Sequence, residues 1–290
     1  MSPAPSRRRF LKTIGGAVIG TPALGGLYGW RVEPTWLEIT RRRMPIPGLP
    51  PALEGRTLAH LSDLHIGPQV DTDYLVDVFR RTTALAPDFV VITGDLLTYK
   101  GPDPVAHLRS VFQHLPQGKR GTFVTLGNHD YGRNWGEPSV ANAVAAAARS
   151  AGAEVLRNRA VTIDGLQFAG FDDLWAGRFS LDWTNNLSVA RPTIALSHNP
   201  DTVDLPGWDR FNGWVLSGHT HGGQCKPPFL APPLLPVKNR RYTSGEFALR
   251  GGRRLFISRG VGHTVRIRIN CRPEVTLFRL VRENAGGIPA

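Results

Sequence analysis

The sequence predicts an α/β fold with a mainly parallel sheet, followed by a strand-rich second half. Three observations carry this. Strand-like and helix-like runs alternate from Arg56 to Leu156. Two hairpin signals punctuate the later part of the chain. Five apolar runs stop abruptly at Asp, Asn or His, as strands do when they deliver side chains to a site beyond their carboxyl ends.

Taken in order, the chain opens with SRRRFLK (residues 6–12) and then an uncharged stretch, residues 13–30, holding Pro22 and six glycines. A basic start before an apolar stretch has the form of an export signal, and the paired arginines point to the twin-arginine route. Residues 1–30 are therefore expected to be a twin-arginine signal or apolar anchor. The expected location is the periplasm, the cell wall or the outer face of the cytoplasmic membrane. Export in the folded state suits a protein that captures a metal before it leaves. Residues 31–55 are Pro-rich and carry Arg41–Arg43, and read as a linker or leading strand.

The catalytic domain is expected over residues 56–285. RTLAHLSDLHIG is a β-rich run ending in Asp, His and Gly. Residues 72–87 place Leu75, Val78, Phe79 and Leu85 at helical spacing, with Pro87 as the stop. DFVVITGD and GTFVTLGNHD are continuous apolar runs, as in strands buried on both faces. Residues 105–116 and the Ala-rich 139–156 read as helices, the latter with Gly152 as a stop signal. Asp164-Gly165 and Gly251-Gly252 mark hairpins, PTIALSHNP and GWVLSGHTHGG are two more strands, and VTLFRLVRE closes the chain.

Composition bounds the partners. The 290 residues include 41% hydrophobic side chains, enough for a real core, and the net charge is +12. That charge favours anionic partners: phosphates, a wall polymer or a membrane surface. A specific nucleic-acid target is not expected, because there is no recognition helix or aromatic–basic platform. Cys225 and Cys271 are too few for a disulfide framework, although one bridge between them is compatible with export.

The strand ends supply Asp63 and His65, then Asp95, then Asn128 and His129, then His198, then His219 and His221. Each alone reads equally well as a turn, a cap or a structural histidine. Five coincidences at one sheet edge read as a metal site. In an extended segment, i and i+2 share a face, which would pair Asp63 with His65 and His219 with His221. Carboxylate, imidazole and amide donors suit manganese first, with iron, zinc or a mixed pair as alternatives. The donors outnumber the needs of one ion, so two divalent ions roughly 3.5–4 Å apart are expected. The glycines of GHTHGGQ let the backbone turn sharply beside them.

In this order, D-x-H, G-D, G-N-H-D, a lone His and G-H-T-H resemble the calcineurin-like metallophosphoesterases, over roughly residues 56–265. The resemblance implies a four-layer α/β/β/α sandwich of two mixed sheets with flanking helices. It implies that Asp63, His65 and His221 hold one ion, that Asn128, His198 and His219 hold the other, and that Asp95 bridges them. A water or hydroxide between the ions would attack phosphorus in line, and His129 would protonate the leaving oxygen. Asp130 stands where many members carry Glu, and is expected to support the site without binding metal. The LLTYK that follows Asp95 departs from the Ser/Thr protein phosphatases, which argues against a phosphoprotein substrate. FDDLWAGRF (residues 171–179) is similar to an exported phosphodiesterase branch related to UDP-2,3-diacylglucosamine hydrolases. Asp172, Asp173, Trp175 and Arg178 are accordingly candidates for the substrate mouth. The expected function is hydrolysis of phosphodiester or pyrophosphate bonds. A membrane-associated lipid-sugar pyrophosphatase, or a basic envelope-binding protein without catalysis, are the alternatives.

Overall fold

The computed structural model describes residues 24–188, 191–208 and 211–283. The twin-arginine motif and most of the apolar stretch lie outside these residues. Two six-stranded mixed sheets stack face to face. The first has the order β1 (Glu38–Pro47), β12 (Glu274–Glu283), β2 (Thr57–Leu61), β3 (Phe89–Thr93), β4 (Gly121–Thr125), β5 (Glu154–Val155). The second runs β10 (Gly245–Ala248), β11 (Arg254–Ile257), β9 (Trp214–Ser217), β8 (Thr193–Leu196), β7 (Leu166–Gly170), β6 (Arg159–Ile163).

Strand β3 shows why the sandwich forms. Its five residues, FVVIT, are all buried. Phe89 and Val91 enter the core between the sheets, beside Phe123, Phe168 and Trp214. Val90 and Ile92 face the other way, into the layer of helices. Fully burying such a side chain contributes about 1.5–3 kcal/mol, so a strand buried on both faces is strongly held.

The helices α2 (Thr72–Ala84), α3 (Pro104–Phe112) and α4 (Pro138–Ser150) cover the first sheet with Leu75, Phe79, Leu108, Val111, Val144 and Ala148. Asp71 caps α2 by accepting hydrogen bonds from the Asp73 and Tyr74 amides, and Asp103 caps α3. On the outer face of the second sheet, a core of Phe171, Trp208, Val215 and Leu255 is covered by loops and short 3-10 helices, Asp182–Asn186 and Pro200–Asp204. Residues 24–31 form a further helix, α1.

One expectation changes, and two open alternatives take a definite form. Residues 154–155, expected at the end of a helix, pair with β4 as β5, because Gly152 (φ +87°) ends α4 earlier. Glu38–Pro47 is a strand of ten residues paired in parallel with β12, so the first sheet begins well before residue 56. Cys225 and Cys271 are free thiols.

Both hairpins are present, β6–β7 and β10–β11. Asp164 (φ +50°) and Gly165 (φ +86°) supply the left-handed pair that a tight two-residue turn requires.

Candidate metal centre

The five polar strand ends belong to two sheets, not one. β2, β3 and β4 come from the first sheet and β8 and β9 from the second, and their carboxyl ends meet at one end of the sandwich. Among the described residues, two groups have ligand atoms within 4.8 Å of one another: Asp63, His65 and His221, and Asp95, His198 and His219. Asp95 lies between them, its Oδ2 3.5 Å from His65 Nε2 and 3.3 Å from His198 Nε2. His221 Nε2 is 3.0 Å from His65 Nε2 and 3.5 Å from Asp63 Oδ1. His219 Nδ1 is 3.1 Å from His198 Nε2.

The backbone that presents these side chains is not extended. Asp63, His65, Asp95, His219 and His221 all have left-handed φ, between +48° and +70°. For residues with a Cβ this conformation is uncommon and costs about 1–3 kcal/mol. The surrounding hydrogen bonds enforce it. Asp63 N–H donates to Gly94 O, His65 N–H to Asp95 O, and Gly262 N–H to Asp63 O. The glycines allow the close approach. A Cβ on Gly218 would overlap Ser62 Oγ and the Asp63 carboxylate, and one on Gly127 would overlap Asp95 Oδ1.

Supporting groups aim the imidazoles. His65 Nδ1 bonds Thr98 Oγ1 at 3.0 Å, leaving Nε2 toward the cluster. His198 Nδ1 donates to Thr93 O at 2.8 Å. Cys271 Sγ donates to His221 O at 3.1 Å and steadies that turn. Such outer partners fix tautomer and orientation in metal sites. Asp130, fully buried, accepts from Leu97 N–H and Gly127 N–H and ties the β3 and β4 loops together. Burial, then the Asp95 charge, pushes its pKa well above the usual range.

Electrostatics concentrate on Asp95. Burial opposes its charge, but His198, His129 and His65 outweigh that and hold its pKa well below the ordinary value. Burial likewise opposes charge on His198, yet Asp95 above all, with Asp63 and Asp173, raises it to about 10. Burial lowers His65 and His219 to about 3 and pushes His221 well below its usual value. Asp63 rises to about 7, chiefly by burial.

The donor set fits a pair of cations. Ring nitrogens of His65 and His221, and of His198 and His219, converge to 3.0 and 3.1 Å of one another, so each cluster turns its imidazoles toward one point. Both polar atoms of the buried Asn128 side chain, together with His219 Nε2, lack a hydrogen-bond partner. A buried unsatisfied polar group costs about 1–3 kcal/mol, and a bound cation would satisfy the Asn128 amide oxygen. Aspartate, histidine and asparagine are suitable ligands for such an ion.

His129 sits at the rim. Its N–H donates to Asp95 Oδ1 at 2.9 Å, and its ring lies edge-on to His65, with centroids 5.0 Å apart. Of the four mouth candidates, Trp175 reaches the site. It packs edge-on against His219 at 4.3 Å between ring centroids. Asp172 does not reach it: this carboxylate is buried against Arg157 Nε (2.9 Å) and Tyr131 Oη (2.6 Å). Asp173 is also buried, capping a turn through Ala176 N–H, and burial raises its pKa to about 6. Asp172 is taken up by the protein's own groups, whereas Asp173 keeps Oδ2 buried without a partner and contributes to the charge felt by His198. Arg178 is exposed, and its N–H and C=O are engaged with Asp173 and Asn158.

Trp135 is a residue that sequence reasoning missed. It stands 5.1 Å from Trp175 and 6.0 Å from His129 between centroids, forming one wall of the mouth. The signal available was an aromatic six residues beyond His129 in a glycine-rich loop. A cleft of about 650 Å³ opens here, lined by Trp135, Trp175, Leu205 and Lys238 among others.

Comparison with known proteins agrees with this geometry. Residues 56–223 match the calcineurin-like phosphoesterase family. The chain is 31% identical to phosphodiesterase YaeI of Escherichia coli (strain K12), covering 95% of this chain and 99% of that one. It is 32% identical to the uncharacterized metallophosphoesterase YkuE of Bacillus subtilis (strain 168), covering 96% and 99%. It is 26% identical to the UDP-2,3-diacylglucosamine pyrophosphatase LpxG of Chlamydia muridarum, covering 92% and 96%. Two buried clusters of metal-ligating side chains at the meeting strand ends of two mixed sheets thus have their explanation: the chain belongs to the calcineurin-like phosphoesterases and is a metallophosphoesterase.

Proposed function

We propose that the protein is a dinuclear phosphodiesterase, active also on pyrophosphate bonds, working outside the cytoplasmic membrane. The observation that carries this is the position of Asp95, within 3.5 Å of an imidazole from each cluster. A carboxylate shared in this way offsets the repulsion between two cations. Asp63, His65 and His221 would hold the first ion, and Asn128, His198 and His219 the second, with manganese the favoured metal. Bound there, two divalent ions supply Lewis acidity to the phosphoryl oxygens and lower the pKa of an attacking water.

The chain's own residues do the rest. The Asp95–His129 backbone bond keeps the His129 ring beside the clusters, where its imidazole can protonate the departing oxygen. Trp135 and Trp175 wall the mouth and exclude water from one side. Attack in line with the leaving oxygen follows if substrate enters across this wall. Diesters are favoured because YaeI bears a phosphodiesterase name over nearly the whole shared length, and pyrophosphates because LpxG does so for that bond.

The location is proposed from SRRRFLK and the apolar stretch behind it, which fit the twin-arginine translocation machinery as a partner. The net charge of +12 supports retention on an anionic wall polymer or membrane surface. The test is hydrolysis of bis-p-nitrophenyl phosphate with added manganese. Turnover should require the metal and collapse in Asp95→Ala and His129→Ala. Full activity in either variant would overturn the assigned roles.

A further inference from the structure

Single exposed apolar side chains are ordinary on soluble proteins, but a contiguous group of them marks an interaction surface. Three segments here bring theirs together. Helix α1 exposes Leu24 (68%), Leu27 and Trp30. The Pro-rich segment 226–239 exposes Phe229 completely, together with Leu230 and Leu234 (81%). Segment 265–270 adds Val265.

Hydrogen bonds stitch the three segments side by side. Arg268 N–H donates to Gly29 O and Lys226 N–H donates to Ile269 O, both at 2.8 Å. The Gln224 side-chain amide donates to Val265 O at 2.8 Å, and that of Asn270 to Lys226 O at 3.0 Å. Within these segments the side-chain charge has one sign; of the acids that touch them, Glu33 and Asp201 are buried and Asp204 is bonded to Asn239. Residues 24–32, 226–241 and 263–272 contain no Asp or Glu, whereas Arg31, Lys226, Lys238, Arg241 and Arg272 lie within them. The surface also adjoins the metal centre. Pro232 packs against Gly223, two residues beyond His221. Farther along the same segment, Lys238 lines the cleft beside Trp175.

We propose that α1, the 226–236 loop and segment 265–270 form one docking surface for an anionic lipid bilayer, which holds the mouth of the metal centre at the headgroup layer. Apolar side chains ringed by cations, with a Trp among them, match the water–lipid boundary, where burial and attraction to anionic lipid add. No described helix is long and apolar enough to cross a membrane. Continuity with the uncharged residues 13–23 that precede α1 in sequence favours a bilayer over a protein partner. The delivery of lipid-borne phosphoesters to the site rests on the function proposed above, whereas the docking itself does not.

The experiment is co-sedimentation of the full chain with vesicles of phosphatidylcholine, with and without phosphatidylglycerol. The wild type should bind the anionic vesicles more tightly and release with salt. The triple variant Phe229→Ser, Leu230→Ser, Leu234→Ser should lose at least about tenfold in partitioning. Its melting temperature and its turnover of soluble bis-p-nitrophenyl phosphate should be unchanged. Equal binding by the triple variant, or no wild-type binding to anionic vesicles, would overturn the proposal. So would conversion of a dimer to a monomer by the triple substitution, which would make the face a contact between copies. The Asp95→Ala variant should bind vesicles like the wild type. Vesicle binding by a wild type that shows no hydrolysis would sink the catalytic reading and leave the docking surface standing.

Discussion

The two metal-ligating clusters have the same composition, one aspartate and two histidines, yet they carry charge differently. Around Asp63, His65 and His221, burial dominates: the carboxyl is raised to about 7 and both imidazoles are held neutral. Around Asp95, His198 and His219, an ion pair survives, with Asp95 ionised and His198 protonated to about pH 10. The difference comes from position. Asp95 is central and sees three imidazoles, whereas the charges of Asp95 and Asp63 both favour the proton on His198. One cluster therefore presents neutral imidazoles beside a carboxyl raised to about 7, and the other must first give up the His198 proton.

The largest expected effect breaks the comparison altogether. Asp95→Ala removes the group that touches both clusters. Hydrolysis should fall by on the order of a thousandfold or more, and both ions should be lost, as read by kcat/KM and metal analysis. Next, His221→Ala and His219→Ala should each remove one ion, from different clusters, with activity falling about a hundredfold or more. Two ions retained in both variants would mean that the clusters do not act as separate sites. A smaller effect should follow from Thr98→Val, which removes the partner of His65 Nδ1. Affinity should weaken about ten- to a hundredfold at the first site alone.

The smallest effect sharpens the contrast. His198 has its pKa raised above the ordinary histidine value, so at neutral pH the metal-free site holds that proton, and metal must displace it. Metal affinity should then rise with pH until about pH 10, by up to about tenfold per unit. Asp63, raised to about 7, adds a second dependence that fades above neutrality. Calorimetry of metal binding in buffers of different ionisation enthalpy reads the released protons. Zero release would remove the distinction between the clusters.

Much of this centre was legible in the sequence, because a buried strand that ends in a ligand leaves a sharp mark: FVVIT before Gly-Asp, TIAL before Ser-His. What did not show was how the strand ends are shared out. Nothing in a single run says that β8 and β9 belong to a different sheet from β2, β3 and β4, since that depends on pairings far apart in the chain. The i,i+2 spacing suggested extended backbone, but Asp63 and His65 are both left-handed, a conformation imposed by tertiary hydrogen bonds to the Gly94–Asp95 and Gly262 segments. Asp172 and Asp173 are mouth candidates in the sequence because FDDLWAGRF is similar to an exported phosphodiesterase branch. The burial of Asp172 against Arg157 and Tyr131 is a tertiary fact that local pattern does not carry, whereas Asp173 caps its own turn at Ala176 and acts on His198 through its charge. Trp135 was passed over for the complementary reason: its neighbour Trp175 is 40 positions away in the chain.

Strand β12 has a consequence for how the molecule is made. It is hydrogen-bonded to β1 on one side and β2 on the other, so the last of the described strands to be synthesised fills a gap between the first two. Until Glu274–Glu283 is synthesised, β2 has an open edge and the turn bearing Asp63 and His65 lacks that flank. Catalytic competence thus waits for Glu274–Glu283, and nascent chains stalled upstream of this strand should show no turnover.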